Sequence, residues 1–140
     1  MPEKRTIERA RRDAREGKAP TTQAGEFVRE EMEHIREGKH GARSTKQAIA
    51  IGLSKARRAG VALSPPKEGR TSERTRHQAQ RDLAKGQSGG KNAKPSAKRS
   101  RAVTGALKRE GRSAASKAAL SRQARSAAQQ RRKRGKVTAA

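Results

Sequence analysis

The chain has no cysteine, no tryptophan and no tyrosine, and one phenylalanine in 140 residues. Without thiols it has no disulfide, no thiolate metal site and no cysteine nucleophile. With one aromatic ring it has no platform for the base stacking that sequence-tolerant single-strand binders use. Large aliphatic residues are scarce as well: Val, Ile, Leu and Phe together number 14 of 140. That is about half the fraction below which a highly charged chain is expected to be disordered, because too little apolar surface can be buried to offset the entropy of ordering the backbone. No apolar run approaches the roughly 20 residues that span a bilayer. The opening Met1-Pro2-Glu3-Lys4-Arg5 lacks the apolar segment of a secretory signal. The expectation is a soluble cytoplasmic protein.

What the chain has in excess is positive charge. Thirty-seven Lys and Arg face 13 Asp and Glu, for a net charge of +24. The first 70 residues hold 17 basic and 10 acidic side chains, and the last 70 hold 20 and 3. The second half therefore has the composition of a basic tail. Such a composition calls for a polyanion, since closely spaced cations release the counterions condensed on nucleic acid.

Eight of the 14 large apolar residues lie between Phe27 and Leu63, so any core is expected there. Residues 3–16 read as a frayed, highly charged helix closed by Gly17 and Pro20. A helix over 22–37, capped by Thr21 or Thr22 and ended by Gly38, places Ala24, Phe27, Val28, Met32 and Ile35 on one face. Glu26, Glu30, Glu33 and Glu37 gather on another. Ser44-Thr45-Lys46-Gln47 has the form of a capping box for a helix over 45–59. Gly60 stops that helix, with Val61 placed to pack back. Ala48, Gly52 and Ala56 share its inner face, and their small size lets a neighbouring helix approach closely. Beyond Ser64-Pro65-Pro66 the sequence reads as a linker containing a weak helix near Ala79 and Leu83, then low-complexity Gly, Ser and Lys. Ser113 is positioned to cap a helix through Gln130, but alanine and Leu120 alone cannot hold it in a fold. The fold class expected is all-α: a short helical hairpin with additional weak helices, linkers and a largely disordered basic C-terminal tail. The divisions are a charged N-terminal helix at 1–20, the hairpin at 21–63, a flexible linker at 64–100, and a tail at 101–140 that becomes helical on binding.

Three groups of cations are candidates for nucleic-acid contact. Lys39, His40 and Arg43 lie in the loop from Gly38 to Thr45, which contains a Gly-x-x-Gly turn and precedes a helix N-terminus whose free N–H groups favour anions. Lys46, Lys55, Arg57 and Arg58 project from the second hairpin helix. They can contact phosphates or pair with the acidic face of helix 22–37. The third group is the tail itself: Lys98, Arg99, Arg101, Lys108, Arg109, Arg112, Lys117, Arg122, Arg125, Arg131, Arg132, Lys133 and Arg134. His34 with Glu30, Glu31 and Glu37 has the spacing of a helical metal cluster. A dinuclear carboxylate site needs a second Glu-x-x-His, which is missing, so a solvated charged face is expected and no metal or cofactor. No catalytic constellation, P-loop or dinucleotide fingerprint is present; an enzyme is not expected.

The run Thr22-Gln23-Ala24-Gly25-Glu26-Phe27-Val28-Arg29-Glu30-Glu31, then Arg36 to Ser44, then Lys46-Gln47-Ala48-Ile49-Ala50-Ile51-Gly52-Leu53-Ser54-Lys55-Ala56-Arg57-Arg58-Ala59-Gly60, resembles a small bacterial domain family of unknown function. Its members have often carried the automatic label "plasmid stabilization protein". The resemblance spans about residues 2–70, and the tail resembles the basic extensions of longer members. It implies a bacterial protein with a compact basic helical module, and supplies no catalytic or binding residues.

The function expected is non-specific, electrostatic binding of nucleic acid, duplex DNA first, in the manner of a nucleoid-associated or histone-tail-like compaction protein or in plasmid maintenance. RNA or ribosome binding is the first alternative. The second is a protein-interaction module that docks a partner, or a second copy, through helix 22–37 or the 22–60 hairpin. Membrane-surface binding is disfavoured, because the tail lacks a bulky apolar face.

Overall fold

A computed structural model describes the backbone of residues 2–88 and 96–139, with side chains to Gly135. The low-complexity expectation for 89–95 lies outside the described residues. Among the described residues there are six α-helices and no strand: α1 Lys4–Arg15, α2 Pro20–Arg36, α3 Thr45–Arg58, α4 Glu73–Gln87, α5 Ala97–Arg109 and α6 Lys117–Ala139. A 3₁₀ turn, Ser113–Ala115, precedes α6.

The helix boundaries follow local chemistry. Pro20 occupies the first turn of α2, where its missing N–H costs nothing and its fixed φ suits a helix. The helix therefore starts at Pro20, ahead of the expected threonine caps. Ser44 caps α3 by accepting the Gln47 N–H at 3.1 Å, while Gln47 Oε1 reaches one residue further back and accepts the Arg43 N–H at 2.6 Å. At the other end Gly60 adopts φ +106°, and the Val61 N–H closes onto Ala56 O at 3.0 Å. That geometry turns Val61 inward, where it is buried, as the sequence predicts.

α2 and α3 form the expected antiparallel hairpin. Gly52 is the point of closest approach: a Cβ built there falls 2.7 Å from Val28 Cα. One apolar cluster joins Phe27, Ala24, Ala56, Val61 and Leu63 to Ala10 of α1. The first helix is thus docked, not frayed. Thr6, Ala10 and Asp13 are buried against α2. Glu30 of α2 accepts the Glu3 backbone N–H at 2.6 Å and the Thr6 hydroxyl at 3.3 Å, placing a carboxylate at the positive end of the α1 dipole. α4 packs on α3 through Ala79 and Asp82, so this part of the expected flexible linker is an ordered layer.

The largest departure from the sequence expectation is the C-terminal part. It is helical in the chain itself, and it is attached. Ala114 and Ala115 enter the second apolar cluster, beside Met32, Ile35, Ala42 and Ala48, with Leu120 against it. Thr45 Oγ1 donates to Ala114 O at 2.7 Å and Arg36 Nε to Ala115 O at 2.9 Å. The alanine-only face predicts no tertiary hold because alanine buries little area. Two small residues instead let the backbone come close enough for its carbonyls to be gripped. α5 buries none of its residues.

Candidate nucleic-acid interface

The hairpin cations divide into those consumed by the fold and those left free. Lys55 is half-buried and its ammonium sits on Glu31 Oε1. Arg57 is 7% exposed. Its guanidinium donates to Leu63 O at 3.1 Å and Ser64 O at 3.0 Å, fastening the strap that follows α3. Burial pulls its pKa below the ordinary arginine value, with Asp82 opposing. Arg58 Nε lies 3.3 Å from Asp82, a carboxylate also held by Ser54 and by Gln78 Nε2. Lys55, Arg57 and Arg58, predicted as phosphate contacts, therefore serve the helix joints. For the half-buried Lys55 and the buried Arg57, pairing with acids and carbonyls wins over exposure, because an unpaired buried charge is far more costly than a solvated one, whereas Arg58 pairs with Asp82 while remaining half exposed.

The Gly-x-x-Gly loop is also engaged. The Gly41 N–H donates to Leu107 O at 2.8 Å and the Ala42 N–H to Gly111 O at 3.1 Å, so two amides of the loop are taken by the C-terminal segment. Gly41 is required there: a Cβ would fall 2.0 Å from Glu110 O. His40 is turned inward, 3.1 Å from Glu31. Lys39 is exposed but lies between Glu3 at 3.6 Å and Glu37 at 3.4 Å.

Arg43 and Lys46 are exposed and have no acidic partner among the described residues. With Ser44 and Thr45 they line one wall of a shallow groove whose other wall is Arg122, Gln123 and Ser126 of α6. The N-terminus of α3 opens into this groove, adding its dipole to three cations. Sequence reasoning names all three cations without seeing that the attached α6 brings them together.

The remaining cations lie on α5, on α6 and between them. Lys98, Arg99, Arg101, Lys108, Arg109, Arg112, Lys117, Arg122, Arg125, Arg131, Arg132, Lys133 and Arg134 are all exposed. Residues 96–140 contain 14 Lys and Arg against one acid, Glu110. On α6 the docked side carries Ala119, Leu120 and Gln123. At 100° per residue, Lys117, Arg122, Arg125, Arg132 and Lys133 fall within an arc of about 160° facing away from it. The helix is thus a basic ridge on the hairpin, not a free polycation.

Residues 21–68 match a family of unknown function, DUF6496. The match takes in α2, α3 and the strap that Arg57 holds, about a third of the chain and less than the 2–70 that the resemblance suggested. No curated protein and no solved structure matches the chain. Among the described residues, no helix is long and apolar enough to cross a membrane.

Proposed function

We propose that this protein binds nucleic acid through the phosphate backbone without reading base sequence, with duplex DNA as the preferred form. The observation that carries this reading is the segregation of charge. The buried acids Asp13, Glu30, Glu31 and Asp82 are engaged within the fold, while α5, α6 and the groove at Arg43, Lys46 and Arg122 keep their cations exposed. A ridge of this kind tracks phosphates, and each neutralised phosphate releases counterions. The absence of exposed aromatics favours a duplex over an unstacked single strand. Compaction of DNA in a bacterial nucleoid is the role that fits such binding.

The alternative of a partner docking on the acidic and apolar faces of α2 has less support, because Ala24, Phe27 and Ile35 of the apolar face are covered by α1, α3 and the 3₁₀ turn.

The test is fluorescence anisotropy of the full chain on a DNA duplex, a scrambled duplex and a structured RNA over a salt series. The expected result is equal affinity for the two duplexes, weaker binding to RNA, and log K falling linearly with log salt. Replacing Arg131, Arg132, Lys133 and Arg134 by Gln lowers the slope by about 0.9 for each phosphate that is no longer neutralised. Tighter binding to RNA reassigns the partner. A flat salt response refutes the reading altogether.

A further inference from the structure

A group of titratable side chains lies away from the basic ridge, where α2, the 38–44 loop and the residues before α1 converge. Helix spacing puts Glu31 and His34 on neighbouring turns of α2. The loop returns His40 beside them, and Glu3 arrives from the start of α1. One ligand atom from each of Glu31, His34 and His40 lies within 4.8 Å of the others. The two rings meet edge to face with centroids 6.1 Å apart. Sequence spacing alone offers His34 only its helical neighbours, so the contribution of His40 from the loop is not legible there.

Two details indicate that something beyond side chains belongs in this site. Glu31 is fully buried, and its Oε2 accepts no hydrogen bond. His40 Nε2 lies 3.1 Å from it. His40 Nδ1 lies 2.9 Å from the Gly41 carbonyl, an atom that only accepts, so the proton of the neutral ring sits on Nδ1. Nε2 then presents a lone pair to a carboxylate oxygen. Two acceptors this close need a cation between them or a second proton on the ring. Ligand atoms bound about 2.0–2.1 Å from a tetrahedral zinc stand about 3.3 Å apart, close to the separation seen.

We propose that Glu31, His34 and His40 bind one divalent transition-metal ion of the zinc class, leaving a fourth position open. Two imidazoles and a carboxylate are a donor set suited to that class. The surroundings have the form of an outer shell. The Gly41 carbonyl fixes the His40 tautomer, Glu3 Oε1 orients His34 from 3.1 Å, and Lys55 holds the second oxygen of Glu31. Glu30, buried beside His34, keeps one oxygen without a partner and adds negative charge. Lys55, Lys39 and Arg5 each contact one of these carboxylates, so the site is close to neutral before the metal enters, which limits affinity for hard ions held by charge alone. The ion would clamp the 38–44 loop to α2. The same loop holds residues 107–111 through the Gly41 and Ala42 amides, so metal binding would stiffen the attachment of the basic ridge.

The experiment is titration of the untagged full chain with zinc chloride by calorimetry, and with cobalt(II) by visible absorption. One-to-one binding in the micromolar range or tighter, with the intense visible bands of four-coordinate cobalt, is the expected result. His34→Gln and His40→Gln, each checked for helix content by circular dichroism, should weaken zinc by more than the 10–100-fold that loss of an outer partner costs. His77→Gln, at an exposed histidine on α4, should leave it unchanged. The wild-type cobalt spectrum does not depend on any variant folding. Absence of one-to-one binding, six-coordinate cobalt spectra, or affinity unchanged in both ligand variants overturns the proposal and leaves a protonated His40 as the partner of Glu31.

Discussion

Gly52→Ala and Gly25→Ala make the same chemical change in the two hairpin helices and should shift stability in opposite directions. In a helix interior, alanine is favoured over glycine by about 0.5–1 kcal/mol because glycine loses more backbone freedom on folding. At Gly25 nothing lies within 4 Å of the added Cβ, so the full gain should appear. At Gly52 the added carbon falls 2.7 Å from Val28 Cα, 2.9 Å from its Cγ2 and 3.0 Å from its N. Carbon atoms pack at about 3.5–4.0 Å, which leaves a deficit near 1 Å. Two of the three obstructing atoms are backbone and cannot rotate away. The helices must separate, loosening the contacts that flank the crossing. Overpacking of this kind costs about 1–3 kcal/mol, and the propensity gain offsets only part of it. A net loss of about 1–2 kcal/mol corresponds to a fall in Tm of roughly 3–8 °C for a chain of this size. Thermal unfolding followed by far-ultraviolet circular dichroism reads both variants. Gly25→Ala should raise Tm by a few degrees. If Gly52→Ala also raises it, α2 and α3 do not cross at this point and the hairpin geometry is wrong.

Three further outcomes follow from the joints. Arg57→Ala removes two hydrogen bonds from a buried guanidinium to the Leu63 and Ser64 carbonyls; at about 1.5–3 kcal/mol for a bond to a charged group, urea unfolding should show a loss of about 3 kcal/mol. The salt slope for DNA should not change, whereas a reduced slope would return Arg57 to the contact surface. Ala115→Asp places a charge at a fully buried position of the second cluster and should detach the basic ridge. Hydrogen exchange should then accelerate at Gly41 and Ala42, whose amides are held by residues 107 and 111, with α1 unaffected; unchanged rates would mean that the ridge is not held there. Finally, Lys46→Gln with Arg122→Gln should weaken DNA binding and lower the salt slope by about 2, because both line the groove at the α3 N-terminus. A slope equal to that of the wild type would exclude the groove from the contact.

Much of the hairpin is legible in the sequence because its signals are local. The cap at Ser44, the stop at Gly60 and the inward Val61 each depend on residues within a few positions of one another. The small face of Ala48, Gly52 and Ala56 predicts a close approach, and Gly52 delivers it. What is not legible depends on contacts distant in sequence. Ala114 and Ala115 carry too little apolar area to announce a docking site, and their hold comes from Thr45 and Arg36, 69 and 79 residues away. The same holds for the basic surface: composition identifies the cations, but only the packing separates Arg43 and Lys46 from Lys55, Arg57 and Arg58. The frayed helix expected at 3–16 is docked because Glu30, read as part of a solvated face, caps it.

The buried acids explain how so small an apolar content holds several helices. Asp13, Glu30, Glu31 and Asp82 are each at most 2% exposed, and each serves an attachment that the apolar clusters alone would leave weak. Glu30 ties α2 to the start of α1, Glu31 ties α2 to Lys55 of α3, and Asp82 ties α4 to Ser54 and Arg58 of α3. Asp13 receives Lys18 in the α1–α2 turn. Removing one partner of such a buried pair costs about 3–5 kcal/mol, since the other charge is left uncompensated. A phosphate that recruited Lys55 would incur a cost of that kind by taking the ammonium from Glu31, and one that recruited Arg58 would leave Asp82 with only Ser54 and Gln78. A phosphate that recruited α6 strands none of these four acids. Under the proposed function, the fold directs a polyanion toward Arg43, Lys46 and the two C-terminal helices, and the selection comes from where the acids are buried more than from where the cations are densest.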